Sequence, residues 1–150
     1  MQYERIKKFT KLFLDMMFYT GILVLVTVPL WMKYAEKVYS PEFAKYYLPM
    51  VIVFLVSGFC GLGIVNELRK MMTTVLSENC FVQQNVTSLR KMAKVSIVIS
   101  VAFVVKIMFI PTPATFVIVL VFFIAALFSI VLSCVFQEAI NYKEENDLTI

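Results

Sequence analysis

The chain has 150 residues, 61% of them apolar and only 16% charged, with a formal net charge of +4 and a mean hydropathy of +0.84. So much apolar surface cannot be hidden inside a globule of this length, which excludes a water-soluble domain and makes lipid the expected solvent. Three widely spaced cysteines (Cys60, Cys80 and Cys134) and no histidine give neither a disulfide framework nor an ordinary transition-metal ligand set, so no cofactor and no metal are expected.

A crossing helix needs ~20 apolar residues, because each residue rises ~1.5 Å against a hydrocarbon core of ~30 Å. The first block meeting that length is 12–31, preceded by Lys7, Lys8 and Lys11. It is too long for a signal peptide, and the bulky Trp31-Met32-Lys33-Tyr34-Ala35 that follows offers no small-residue cleavage site, so an uncleaved span is expected. Residues 32–47 then form a polar connection carrying Tyr34, Tyr39, Tyr46 and Tyr47, the composition of an aromatic belt at a membrane surface. A second span is predicted over 48–65.

Residues 66–93 are the main polar segment. Leu68, Met71, Met72, Val75 and Leu76 recur at helical spacing, which predicts an amphipathic helix broken at Ser77-Glu78-Asn79 and followed by another from about Gln83. From Val95 to Phe136 there is one charge, Lys106, and Pro111-Thr112-Pro113 divides the stretch, because two prolines so close stop a helix. That predicts spans over 94–110 and 114–136, with a polar, flexible tail over 137–150.

Ten Lys and Arg residues fall in the segments before the first span, between the second and third, and after the fourth; the opposite side has three, Lys33, Lys37 and Lys45. The cation-rich side is cytoplasmic by the positive-inside rule. The expected fold class is therefore an all-α membrane protein of four transmembrane helices in one domain. A cytoplasmic helical hairpin joins the second and third, and both termini lie inside. The basic residues hold loops on that side; none is interleaved with aromatics in a soluble segment, so direct nucleic-acid binding is not expected.

Charges inside spans are functional suspects, because lipid penalises them. Lys106 lies one turn before the Pro-Thr-Pro break, close enough for its stem to carry the ammonium to headgroups; the alternative is a substrate or ion role. Asp15 has Lys11 one turn before it as a helical partner. Small residues that let helices approach in lipid are Ser57 and Gly61 in the second span, with Gly58, Cys60 and Gly63 beside them, and the ridge Ala125, Ser129 and Ser133 in the fourth, which suits packing within a four-helix bundle or a homo-oligomer. No catalytic residues are assigned, since no histidine can act as base and no glycine-rich loop cradles phosphate. An enzyme is not expected. The tail combines Glu144, Glu145, Asn146 and Asp147 with Leu148 and Ile150, acids beside apolar anchors that could meet a basic cytoplasmic protein.

Asn66-Glu67-Leu68-Arg69-Lys70, Phe81 with Asn85-Val86 and Leu89-Arg90-Lys91, and the ending Glu145-Asn146-Asp147-Leu148-Thr149-Ile150 together resemble the bacterial membrane family called domain of unknown function 2975. The resemblance implies a four-helix inner-membrane protein, often encoded beside a small helix-turn-helix transcription regulator. On that basis the expected function is non-enzymatic binding or sequestration of such a regulator at the cytoplasmic face. The tail would supply charge and anchors, and Arg69, Phe81 and Arg90 would shape the loop. Two other readings are a small oligomeric transporter or channel subunit, motivated by Lys106 and the small-residue faces, and an immunity protein against a membrane-active peptide.

Overall fold

The structure, a computed structural model, describes residues 2–39 and 45–148. They form four helices: α1 (Gln2–Tyr39), α2 (Tyr47–Leu76), α3 (Gln83–Phe109) and α4 (Pro113–Leu148). Each is long and apolar enough to cross a membrane. Each packs on its neighbour in sequence, α1 on α2, α2 on α3 and α3 on α4. Side-chain pairs fix the directions. Asp15 meets Arg69 and Pro29 meets Tyr47; Phe54 meets Phe103 and Glu67 meets Ser88; Ser100 meets Val119 and Lys106 meets Thr115. Partner numbers fall as the first number rises, so adjacent helices run antiparallel.

Burial does not sort polar from apolar residues as it does in a water-soluble protein: small polar residues share the interior with Val86, Leu89, Ile99 and Phe103, while large apolar residues cover the outside. The interior holds Asn85, Ser88, Ser96, Ser100, Thr115, Ser129 and Ser133, whereas Leu23, Phe59, Val101, Phe116, Phe123 and Phe128 lie on the outside. In water this arrangement would be unstable; in lipid, small polar residues let helices close on one another while large apolar ones face the acyl chains. The α3–α4 seam is the tightest such contact, with the Ser100 hydroxyl donating to the Val119 carbonyl at 3.3 Å. On α4 the buried line is Ala126, Ser129 and Ser133, while Ala125 lies half-buried at its flank.

Glycine packing follows the expected small-residue pattern only in part. Gly61 faces open space, with nothing within 4 Å of where a Cβ would stand. The close approaches are at Gly21, whose Cβ would come within 2.7 Å of Leu62, and at Gly58, within 2.8 Å of Leu25. Each helix of the α1–α2 pair thus seats a leucine of the other in a glycine notch. Ser57 lies in the same region, and its buried hydroxyl has no hydrogen-bond partner among the described residues.

The two turns flanking α3 are built differently. α2 ends in a Schellman arrangement: the Asn79 N–H donates to the Thr74 carbonyl and the Glu78 N–H to the Val75 carbonyl, with Glu78 at φ 60°. Between α3 and α4, Thr112 precedes Pro113 at the first helical position, where a proline lacks nothing. Lys106 is not extended to the surface but 7% exposed. Its ammonium donates to Thr115 Oγ1 at 2.7 Å and to Thr112 Oγ1 at 3.3 Å. Lys106 thus clasps two threonine hydroxyls across the Pro-Thr-Pro break, partners that its position in the sequence did not reveal.

Candidate functional site: the projecting helical head

Helix lengths locate the part of the protein outside the apolar slab. Beyond the apolar blocks, α1 extends over residues 2–11, α2 over 66–76, α3 over 83–93 and α4 over 137–148, each ~15–18 Å of helix at 1.5 Å per residue. Antiparallel packing puts all four extensions at one end. Only 77–82 is non-helical in what the sequence reads as a loop. The tail is also helical, through Leu148. It contains no Gly or Pro after Pro113, it is rich in helix formers, and Gln137 Nε2 donates to Asn141 Oδ1 one turn on at 3.2 Å, so the helix already nucleated in lipid simply propagates.

Glu67 and Arg69 organise this head. Two residues apart on a helix is about 200° of rotation, so they address opposite neighbours. Glu67 turns to α3: its Oε2 accepts from Ser88 Oγ at 2.7 Å, its Oε1 accepts from Lys70 Nζ at 2.8 Å, and Lys91 Nζ stands at 4.0 Å. Arg69 turns to α1, where its Nε donates to Asp15 Oδ1 and its guanidinium carbon lies 4.6 Å from the centre of the Phe18 ring. Asp15 therefore pairs across helices with Arg69 and not with Lys11 along its own.

The turn at the tip is held from beneath. Asn85, 1% exposed, donates through Nδ2 to the Cys80 carbonyl and to Thr74 Oγ1, both at 2.7 Å, and the Thr74 hydroxyl donates to the Met71 carbonyl. Phe81 packs on Phe136 of α4, ring centres 5.2 Å apart, and Gln83 Nε2 donates to Gln137 Oε1 at 3.1 Å. Polar or aromatic links thus join α1 to α2, α2 to α3, and the turn to α4.

The residues expected to form a docking surface do not form one cluster. Arg69 faces α1, Phe81 faces α4, and Arg90 is exposed on α3. Glu144, Glu145, Asn146, Asp147 and Leu148 occupy the exposed last turns of α4, with Leu148 87% exposed; Ile150 lies outside the described residues. Glu67, Ser88, Thr74 and Asn85 escaped the sequence reading as site residues. The two-residue offset of Glu67 and Arg69 was the available signal. Among the described residues, no three His, Cys, Asp or Glu side chains gather as a metal site would require.

Four membrane-crossing helices with one ordered polar end define a multi-pass membrane protein. The chain belongs to the family described as protein of unknown function (DUF2975), whose model matches residues 30–150. The match takes in the Glu67–Arg69 pair, the turn and all of α4, and leaves most of α1 outside it. No curated protein and no solved structure matches the chain.

Proposed function

We propose that the protein is a non-enzymatic docking platform of a bacterial inner membrane, holding a small cytoplasmic helix-turn-helix regulator on its projecting head. The carrying observation is the helical continuation of α4, which presents Glu144, Glu145 and Asp147 with Leu148 on an exposed, regular scaffold. Regulators of that class have basic surfaces for DNA phosphates. An acidic helix ending in an apolar anchor is complementary to such a surface and would compete with DNA for it.

Charge supports placing the head inside the cell: ten of the Lys and Arg residues belong to its segments or border them, against three at the other end. The motive for a transporter reading weakens, because the Lys106 ammonium is already bonded to two threonine hydroxyls.

The test is capture of purified small helix-turn-helix regulators by the detergent-solubilised chain, with and without residues 144–150. Loss of capture on truncation is expected; undiminished capture would refute the role of α4. A tag placed after Ile150 should be reachable only in permeabilised cells.

A further inference from the structure

We infer that the notch between α1 and α2, where the apolar blocks give way to the head, binds the phosphate headgroup of an anionic phospholipid. The notch has a volume of about 430 Å³ and is lined by Lys11, Asp15, Asn66, Arg69, Lys70 and Thr73. Its acid is already engaged: Asp15 accepts from Arg69 Nε. Lys70 is engaged as well, by Glu67. Lys11 and Asn66 have no side-chain partner among the described residues, and Arg69 uses only Nε on Asp15, leaving its two terminal nitrogens as donors. The Thr73 hydroxyl donates to the Arg69 carbonyl. An ammonium, a guanidinium edge and an amide converging beside a neutralised acid form a donor set for a phosphate.

Position decides which phosphate. Lys11 immediately precedes the first apolar block and Asn66 immediately follows the second, so the notch sits at the level of lipid headgroups. The same helix faces continue into the slab as apolar surface. Ile22 stands seven residues after Asp15 and Phe59 seven before Asn66, two turns along each helix, and both are exposed. A phospholipid can seat its phosphate in the notch and lay its chains over Ile22 and Phe59. A soluble phosphate gains only the first contact. The Asp15–Arg69 pair explains why Lys11 is available: the sequence offers it an acid one turn away, and the fold gives that acid to another helix. The site depends on the four helices crossing a membrane and is independent of regulator docking.

The test mixes the purified full chain in detergent with equal amounts of phosphatidylglycerol and phosphatidylcholine of identical acyl chains and reads retained lipid by native mass spectrometry. Phosphatidylglycerol should be retained preferentially, and Lys11→Ala should lower its retention about fivefold, the value of one cation at a membrane surface. Lys33→Ala, at the other end of α1, should leave it unchanged. Thermal unfolding checks both variants, and Lys11→Gln stands in if the alanine variant is unstable. Equal retention of the two lipids, or full retention of phosphatidylglycerol without the Lys11 charge, overturns the inference. Glycerol 3-phosphate as competitor separates the sources: displacement as efficient as that by added phosphatidylglycerol would make this a free-anion site and overturn the lipid assignment, whereas weak displacement supports it. Failure here leaves regulator capture untouched.

Discussion

Arg69 on α2 holds Asp15 on α1 while its guanidinium carbon sits 4.6 Å from the centre of the Phe18 ring. The two charged side chains are 26% and 31% exposed, so water screens the pair only in part. α1 packs principally on α2, and this contact caps the glycine–leucine notches that join them. Arg69→Gln should cost about 1–2 kcal/mol, the sum of a partly screened ion pair and a cation–π contact. Equilibrium unfolding in mixed micelles would measure it. The exchanged pair Asp15→Arg with Arg69→Asp should recover part of the loss; no recovery would show that the charges do not interact.

Lys106 and the threonines of the turn offer a double-mutant cycle. Thr115→Val removes the shorter of the two hydrogen bonds to a buried ammonium and should destabilise by about 1–3 kcal/mol. Lys106→Met alone should be close to neutral, since Thr112 and Thr115 remain bonded to each other at 2.6 Å and a desolvated charge disappears. In the Lys106→Met background, Thr115→Val should then cost much less. Equal costs in the two backgrounds would disprove the coupling.

Glu78 adopts a left-handed backbone at the position of a helix C-terminus where glycine is the usual residue. Its side chain makes no use of that conformation, being exposed at the tip. Glu78→Gly should stabilise the chain by about 1 kcal/mol, and Glu78→Val should destabilise it by at least as much. A rise in thermal midpoint for glycine together with a fall for valine is the signature; the reverse order would contradict the turn geometry.

Asn85 satisfies the Cys80 carbonyl from a position that is 1% exposed. Asn85→Leu keeps the number and branching of the side-chain heavy atoms but leaves that carbonyl and the Thr74 hydroxyl without their donor, at a cost of about 1–3 kcal/mol. Hydrogen exchange should show the loss first at residues 77–82, ahead of the α3–α4 seam. Unchanged protection there would mean that the turn does not depend on the amide.

The features carried by local chemistry were readable from the residues alone. Apolar length marked the four helices, Ser77-Glu78-Asn79 and Pro111-Thr112-Pro113 marked the turns, and the restart of helix at Gln83 agrees with the observed boundary. Features that depend on which helix lies beside which were not readable. Asp15 has two cations within reach, Lys11 along its helix and Arg69 across the bundle, and only the packing of α1 on α2 selects the second. Which glycines close on a neighbour was hidden for the same reason: Gly21 and Gly58 matter because Leu62 and Leu25 lie opposite them, while Gly61, equally small, faces nothing. At the end of α4 the charged composition suggested a flexible tail, because composition does not register that a helix already formed in lipid extends at little further cost.

From Ala114 to Leu148 α4 contains neither a glycine nor a proline, the residues at which a helix most readily hinges. Any tilt imposed on its buried portion, by a thinner bilayer or by a shift against α3, is transmitted to Leu148 as a lever transmits rotation to its far arm. The acidic tip therefore reports the posture of the span beneath it, and spin labels at the two ends of α4 should keep a constant separation in membranes of different thickness.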